Sequence, residues 1–163
     1  MYKARLVFFM LLGIAQASHA AVPQDQPGEW VTFLDEQYGT SVQYPSWFSV
    51  SGGQSALGRG ERRLTEDRRA EIEVYSLPNP AHKTPSDYLA EKLRLNPATL
   101  HYKRVTQRFF ALSAAQDGKI HYTRCNFSQT AGGVIHCIYL GYPQSEKRAW
   151  DDIVTKVSLS LRP

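Results

Sequence analysis

The order of elements predicts an α+β fold, a mainly antiparallel twisted sheet with two helices packed on it. Three observations carry that reading. Turn chemistry recurs between short alternating segments, so consecutive strands form hairpins. The two helical patterns stand outside any strand–helix–strand alternation, which argues against a doubly wound sheet. The chain has 163 residues, 12% aromatic and 21% charged. That is apolar enough for one core, too ordered in composition for a disordered chain, and too short for two large domains.

Residues 1–20 read as a secretory signal. Lys3 and Arg5 precede the run 6–15, which is apolar apart from Gly13, and Ser18 and Ala20 supply small residues before a cut. A membrane span needs roughly 20 apolar residues, about twice that run. No cysteine lies near the cut, so a lipid anchor is not expected, and cleavage leaves a periplasmic or secreted protein without a transmembrane span. Residues 21–29 form a polar, proline-bearing leader, and 30–163 form the single domain. The formal charge of +4 includes Lys3 and Arg5, so the exported part carries +2.

Within the domain, Trp30 to Leu34 reads as a strand. Residues 35–39 carry turn residues, and 40–44 alternate as a second strand stopped by Pro45. A third strand begins within 47–50. Residues 51–60 (SGGQSALGRG) read as a loop. Residues 61–65 and 69–77 suggest a hairpin about Glu66-Asp67, with Ile72 and Val74 buried and Glu71 and Glu73 pointing out. Pro78 and Pro80 end it.

Thr84 is a suitable N-cap, Pro85 suits the first helical position, and Asp87 completes a short capping box. Tyr88, Leu89 and Leu93 form the apolar face, and Asn96-Pro97 stops the helix. A second helix starts after Pro143 with Ser145 as its expected cap. Ala149, Trp150, Ile153, Val154 and Val157 recur at three- and four-residue spacing, which makes a docking stripe. Between the helices, strands over 100–107 and 109–115 are followed by Asp117-Gly118, a strong hairpin turn. Strands over 121–129 and 134–142 flank residues 130–133.

The segment from Trp30 to Pro45 (WVTFLDEQYGTSVQYP) resembles the opening hairpin of PsbP-like domains, shared by LpqN-like secreted proteins. The closing helix ending in Ser158-Leu-Ser-Leu161 is similar too. The resemblance implies an α/β/α sandwich and an accessory or binding role. It implies no catalytic residues.

Cys125 and Cys137 are the only cysteines. In an exported chain a single pair points to one disulfide. A three-residue loop, 130–132, would place the two cysteines directly opposite each other on neighbouring strands. Opposed Cβ atoms lie about 4.5–5.5 Å apart, close to what a disulfide requires.

Other constellations carry less. His82, His101, His121 and His136 have no metal-ligand spacing and read as partly exposed strand residues, so no metal or cofactor is expected. Residues 53–60 approach a phosphate loop but carry Arg59 and Gly60 where lysine and a hydroxyl residue belong. Ser55 in that loop would need a base for a hydrolase, the alternative to a binding module or a purely structural envelope protein. Asn126-Phe127-Ser128 matches a glycosylation acceptor by chance. Charge is the remaining lead. Residues 59–82 balance five arginines with five acids, whereas 83–125 hold eight bases and three acids. Lys103, Arg104 and Arg108 lie in that basic stretch, although Lys103 and Arg104 point to opposite faces of a strand. They are the candidate contacts for an anionic macromolecule or envelope protein. The charge is too little one-sided for nucleic acid.

Overall fold

The computed structural model describes residues 28–92, 98–129 and 133–163. The signal, most of the leader, Leu93, Asn96-Pro97 and the loop 130–132 lie outside them. The elements run β1 (Trp30–Leu34), β2 (Ser41–Pro45), β3 (Val50–Gln54), β4 (Arg59–Leu64), β5 (Glu71–Pro78) and α1 (Pro85–Lys92). They continue with β6 (Leu100–Val105), β7 (Phe109–Gln116), β8 (Lys119–Phe127), β9 (Val134–Pro143) and α2 (Lys147–Ser160). Seven strands form one sheet in the order β3-β4-β5-β9-β8-β7-β6, every pair antiparallel, and β1 and β2 form a separate hairpin. The α+β architecture is the one expected.

Alternation along the strands gives this sheet two apolar faces. Ile72, Val74, Ile120, Ile138, Leu140 and Tyr142 face α2 and the β1–β2 hairpin, meeting Val42, Phe48, Trp150, Val154 and Val157. Tyr75, Phe110, Leu112, Phe127, Ile135 and both cysteines face the other way, where Leu89 of α1 covers them. The stripe on α2 is therefore core, with Trp150 stacked on Tyr142 at 4.9 Å.

The cap of α1 forms as its sequence indicates. Asp87 N–H donates to Thr84 Oγ1 at 3.2 Å, and Thr84 N–H donates to Asp87 Oδ2 at 3.3 Å. Ser145 does not cap α2. It sits in a 3₁₀ turn over Gln144–Glu146, and Glu146 precedes the helix without a side-chain cap bond. Pro45 stops β2 as expected and is its last residue, in register opposite Trp30. The Asp117-Gly118 turn has both residues at positive φ, 51° and 73°, as a tight two-residue hairpin needs.

The expected loop at 51–60 is the largest departure. Ser51 to Gln54 belongs to β3, an edge strand, and β4 begins at Arg59. Of the glycines that suggested a loop, Gly52 serves close packing, and Gly53 takes a positive φ of 85° at the edge of a bulge. The ladder shifts register between Ser51 and Gly53, and a Cβ on Gly52 would lie 2.8 Å from Arg62 Cγ.

Candidate functional site

Two regions of the sheet carry charge, and they differ in how it is partnered. At the β3–β5 end, cross-strand register brings opposite charges together. Arg62 of β4 lies opposite Glu73 of β5. Its guanidinium bonds Glu71 Oε2 and lies 3.9 Å from Glu73 Oε1. The bond to Glu71 raises the Arg62 pKa further. Tyr139 OH donates to Glu71 Oε1 at 3.5 Å, and His121 Nδ1 lies 2.8 Å from the same hydroxyl. Burial, then the neighbouring carboxylates, push the Tyr139 phenol well above its ordinary value.

Glu73 does not point into solvent as the alternation suggested; it is 7% exposed. Alternation assigns a side chain to a face, and this face is covered in part by the β3–β4 turn. Ser55 in that turn donates to Glu73 Oε2 at 2.5 Å and accepts from Leu57 N–H at 3.1 Å. Ser55 thus tethers the turn to β5. Its partner is a carboxylate, and among the described residues no histidine bonds it.

On the opposite face, His136 is 2% exposed rather than partly exposed. Its Nδ1 lies 2.6 Å from Thr40 Oγ1, which also bonds Ser76 Oγ at 2.5 Å. Burial lowers the His136 pKa, and Asp35 opposes that shift only in part. Asp35 pairs with Arg59 at 3.2 Å on the wall of an open cleft of about 440 Å³ lined also by Phe33, Gln54 and Glu61.

The β6–β8 end is different. Arg104 of β6 and Arg124 of β8 lie opposite the same residue, Ala111 of β7. Side chains in such a row share a face, so the two arginines stand about two strand spacings, or roughly 10 Å, apart at Cα. Both reach over Phe109. The Arg124 guanidinium carbon lies 4.3 Å and that of Arg104 5.4 Å from the ring centroid. Lys103 lies opposite Leu112 and so stands on the other face. Arg108 is exposed in the β6–β7 turn, where its carbonyl accepts from Phe127 N–H at 2.8 Å. The three expected contacts therefore share one edge of the sheet but not one face.

Arg124 was missed by the sequence reading. Hairpin register carries the signal for it, since the Asp117-Gly118 turn sets Arg124 opposite Ala111 and the 106–108 turn sets Arg104 there too. Asn126, in the chance glycosylation match, is occupied structurally: its Oδ1 accepts from Arg124 Nε at 3.0 Å and its Nδ2 donates to Leu161 O at 3.2 Å.

Cys125 lies opposite Cys137 in the β8–β9 ladder, and the pair is disulfide-bonded with Cα atoms 4.2 Å apart. Among the described residues there is no cluster of metal-ligating side chains, and no helix is long and apolar enough to cross a membrane.

No family model matches the chain, and no curated protein matches it in sequence. Its structure is similar to the solution structure of cyanobacterial PsbP (CyanoP) from Synechocystis sp. PCC 6803. The TM-score is 0.58 at 12% identity, covering 88% of this chain and 98% of that one. The fold is PsbP-like.

Proposed function

We propose that the protein is an exported, non-catalytic binding or accessory module of the cell envelope or extracellular space, and that it contacts an anionic macromolecule or envelope protein at the β6 edge. In this reading residues 1–20 are removed as a signal, 21–29 are a leader, and 30–163 fold as the single domain. The reading is carried by one observation: Arg104 is exposed on an edge strand, and among the described residues no carboxylate lies within ion-pair distance of it. Lys103 and Arg108 add charge along the same edge. A disulfide supports an oxidising compartment, and the PsbP-like fold supports an accessory role.

The test is charge reversal at Lys103, Arg104 and Arg108 together, followed by pull-down from envelope extracts at low salt. Partner recovery should fall strongly for the reversed protein and fall with added salt for the native one. Unchanged recovery would sink the reading.

A further inference from the structure

We infer that Arg104, Arg124 and Arg162 together form a site for a phosphate group, a narrower reading of the β6 edge that rests on the binding-module proposal. Arg104 and Arg124 converge on the Phe109 ring from opposite sides of Ala111. The third arginine arrives from the chain's far end. Arg162 pairs with Ser41 through backbone bonds in both directions, which fixes the segment just beyond α2. Asn126, two residues from Arg124 on the same face, holds Leu161 O at 3.2 Å, so Arg162 is brought alongside.

Each guanidinium keeps donors in reserve. Arg124 uses Nε on Asn126 and Nη1 on Ser158 Oγ, at 3.0 and 3.4 Å. Arg162 uses Nη1 on the carbonyls of Leu159 and Leu161, at 2.6 and 3.1 Å. Among the described residues Arg104 uses none on protein oxygen and contacts the Phe109 ring instead. A guanidinium has five N–H donors. Among the described residues no carboxylate pairs with any of the three.

Such crowding is a cost unless something anionic joins it. Burial pushes the Arg124 pKa below its ordinary value; Tyr122 and Tyr102 oppose that shift, and Arg104 and Arg162 add to it. The group still stays charged at physiological pH. The C-terminal end of α2 offers a partial negative charge, and it engages only some of these donors. Planar guanidinium forks match the tetrahedral oxygens of phosphate and can bond it bidentately. Tyr102, 46% exposed, lies two residues from Arg104 on its face of β6, and Leu159, 58% exposed, lies close to Arg162 in sequence. Apolar groups beside a phosphate site suit a lipid headgroup, whereas the arginines alone suit a soluble phosphate.

The experiment titrates the native protein with inorganic phosphate at low, chloride-matched ionic strength while the arginine Nε–H signals are followed by NMR. A parallel arm measures cosedimentation with vesicles of phosphatidylglycerol and phosphatidylcholine against phosphatidylcholine alone. The Arg124 Nε–H signal should shift saturably with phosphate. Arg124→Gln and Arg104→Gln should each weaken binding about tenfold, as loss of a charged bidentate contact does. Lys103→Gln, on the other face, should leave it unchanged. Arg104 is exposed, so its variant keeps the test valid if Arg124→Gln unfolds. Binding to phosphate and to anionic vesicles together identifies a headgroup site; binding to phosphate alone identifies a soluble ligand. Absence of saturable binding in both arms overturns the proposal, as does an equal loss in Lys103→Gln. If pull-down depends on Lys103 and Arg108 while Arg124→Gln changes nothing, the module reading stands and the phosphate site falls.

Discussion

The two ends of the sheet are both rich in arginine and behave in opposite ways. At the β3–β5 end, Arg59, Arg62, Arg63 and Arg69 each lie within 4.0 Å of an acidic oxygen. At the β6–β8 end, Arg104 and Arg124 lie over one aromatic ring, and among the described residues no acid pairs with them. The difference is written in the strands themselves. Between residues 98 and 129 the one acidic residue is Asp117, and it occupies a turn. No choice of register could have paired those arginines across strands. In β4 and β5 the native register sets Arg62 opposite Glu73, with Glu71 two residues along on the same face. Net charge per segment hints at this contrast; register sets the Arg62 pair, and tertiary packing brings Asp35 to Arg59 and Glu146 to Arg69.

The sharpest way to break the paired end is Gly60→Ala. A Cβ there would sit 1.9 Å from Val74 O and 2.7 Å from Tyr75 Cα, both backbone atoms that cannot swing aside. Strands β4 and β5 would have to separate, along with the ion pairs between them. A loss of about 3 kcal/mol or more is expected, the range of severe overpacking. Urea denaturation measures it; a midpoint within error of the native one would show that the ladder yields cheaply.

At the other end, the disulfide ties β8 to β9 and so holds the basic strands to the rest of the sheet. Replacing Cys125 and Cys137 together by alanine should cost about 3 kcal/mol, from the loop-closure entropy of a 12-residue separation. Hydrogen exchange should then rise first in β6 to β8 and less in β4 and β5. Uniform exchange across the sheet would contradict a local staple.

Much of this was legible before the structure. The cysteine register followed from the turn length, and the α1 cap and the α2 stripe followed from residue spacing. The failures share one cause: alternation says which face a side chain takes, never what covers that face. Alternation points Glu73 outward and leaves His136 partly exposed because nothing local shows that the Ser55 turn and the β1–β2 hairpin lie over them. The glycines of β3 misled for the converse reason, since their weak strand preference is outweighed by pairing with β4. Arg162 could not be foreseen, because its place depends on where α2 ends in space.

Arg62→Gln tests whether pairing stabilises the first end. It leaves Glu71 and the buried Glu73 without their cation, so a loss of about 1–2 kcal/mol is expected. Adding Glu71→Gln should recover part of it in a double-mutant cycle. Purely additive losses would show that the pair contributes nothing beyond its parts.

His136 makes the contrast depend on pH. Its folded pKa lies below the ordinary value of 6.5, so the fold favours the neutral imidazole. The unfolded chain therefore takes up the proton more readily. This contribution is complete above about pH 6.5 and is lost as pH falls below it, with a slope of at most about 1.4 kcal/mol per pH unit. Denaturation between pH 7 and pH 5 should show that slope, and His136→Asn should flatten it. Parallel curves for the two proteins would remove His136 from the account.

The smallest effect is the most telling. Arg104→Gln removes an exposed cation that has no acid partner among the described residues and that presses on Arg124. Stability should change by no more than about 0.5 kcal/mol, in the favourable direction at low salt, because a like-charge repulsion is relieved. Raising the salt should erase the gain by screening. The same substitution at Arg62 should cost stability, so a matched pair of melting curves separates an arginine that holds the fold from one that the fold merely tolerates. A clear destabilisation by Arg104→Gln would mean that its contact with Phe109 outweighs the repulsion, and would make that arginine structural.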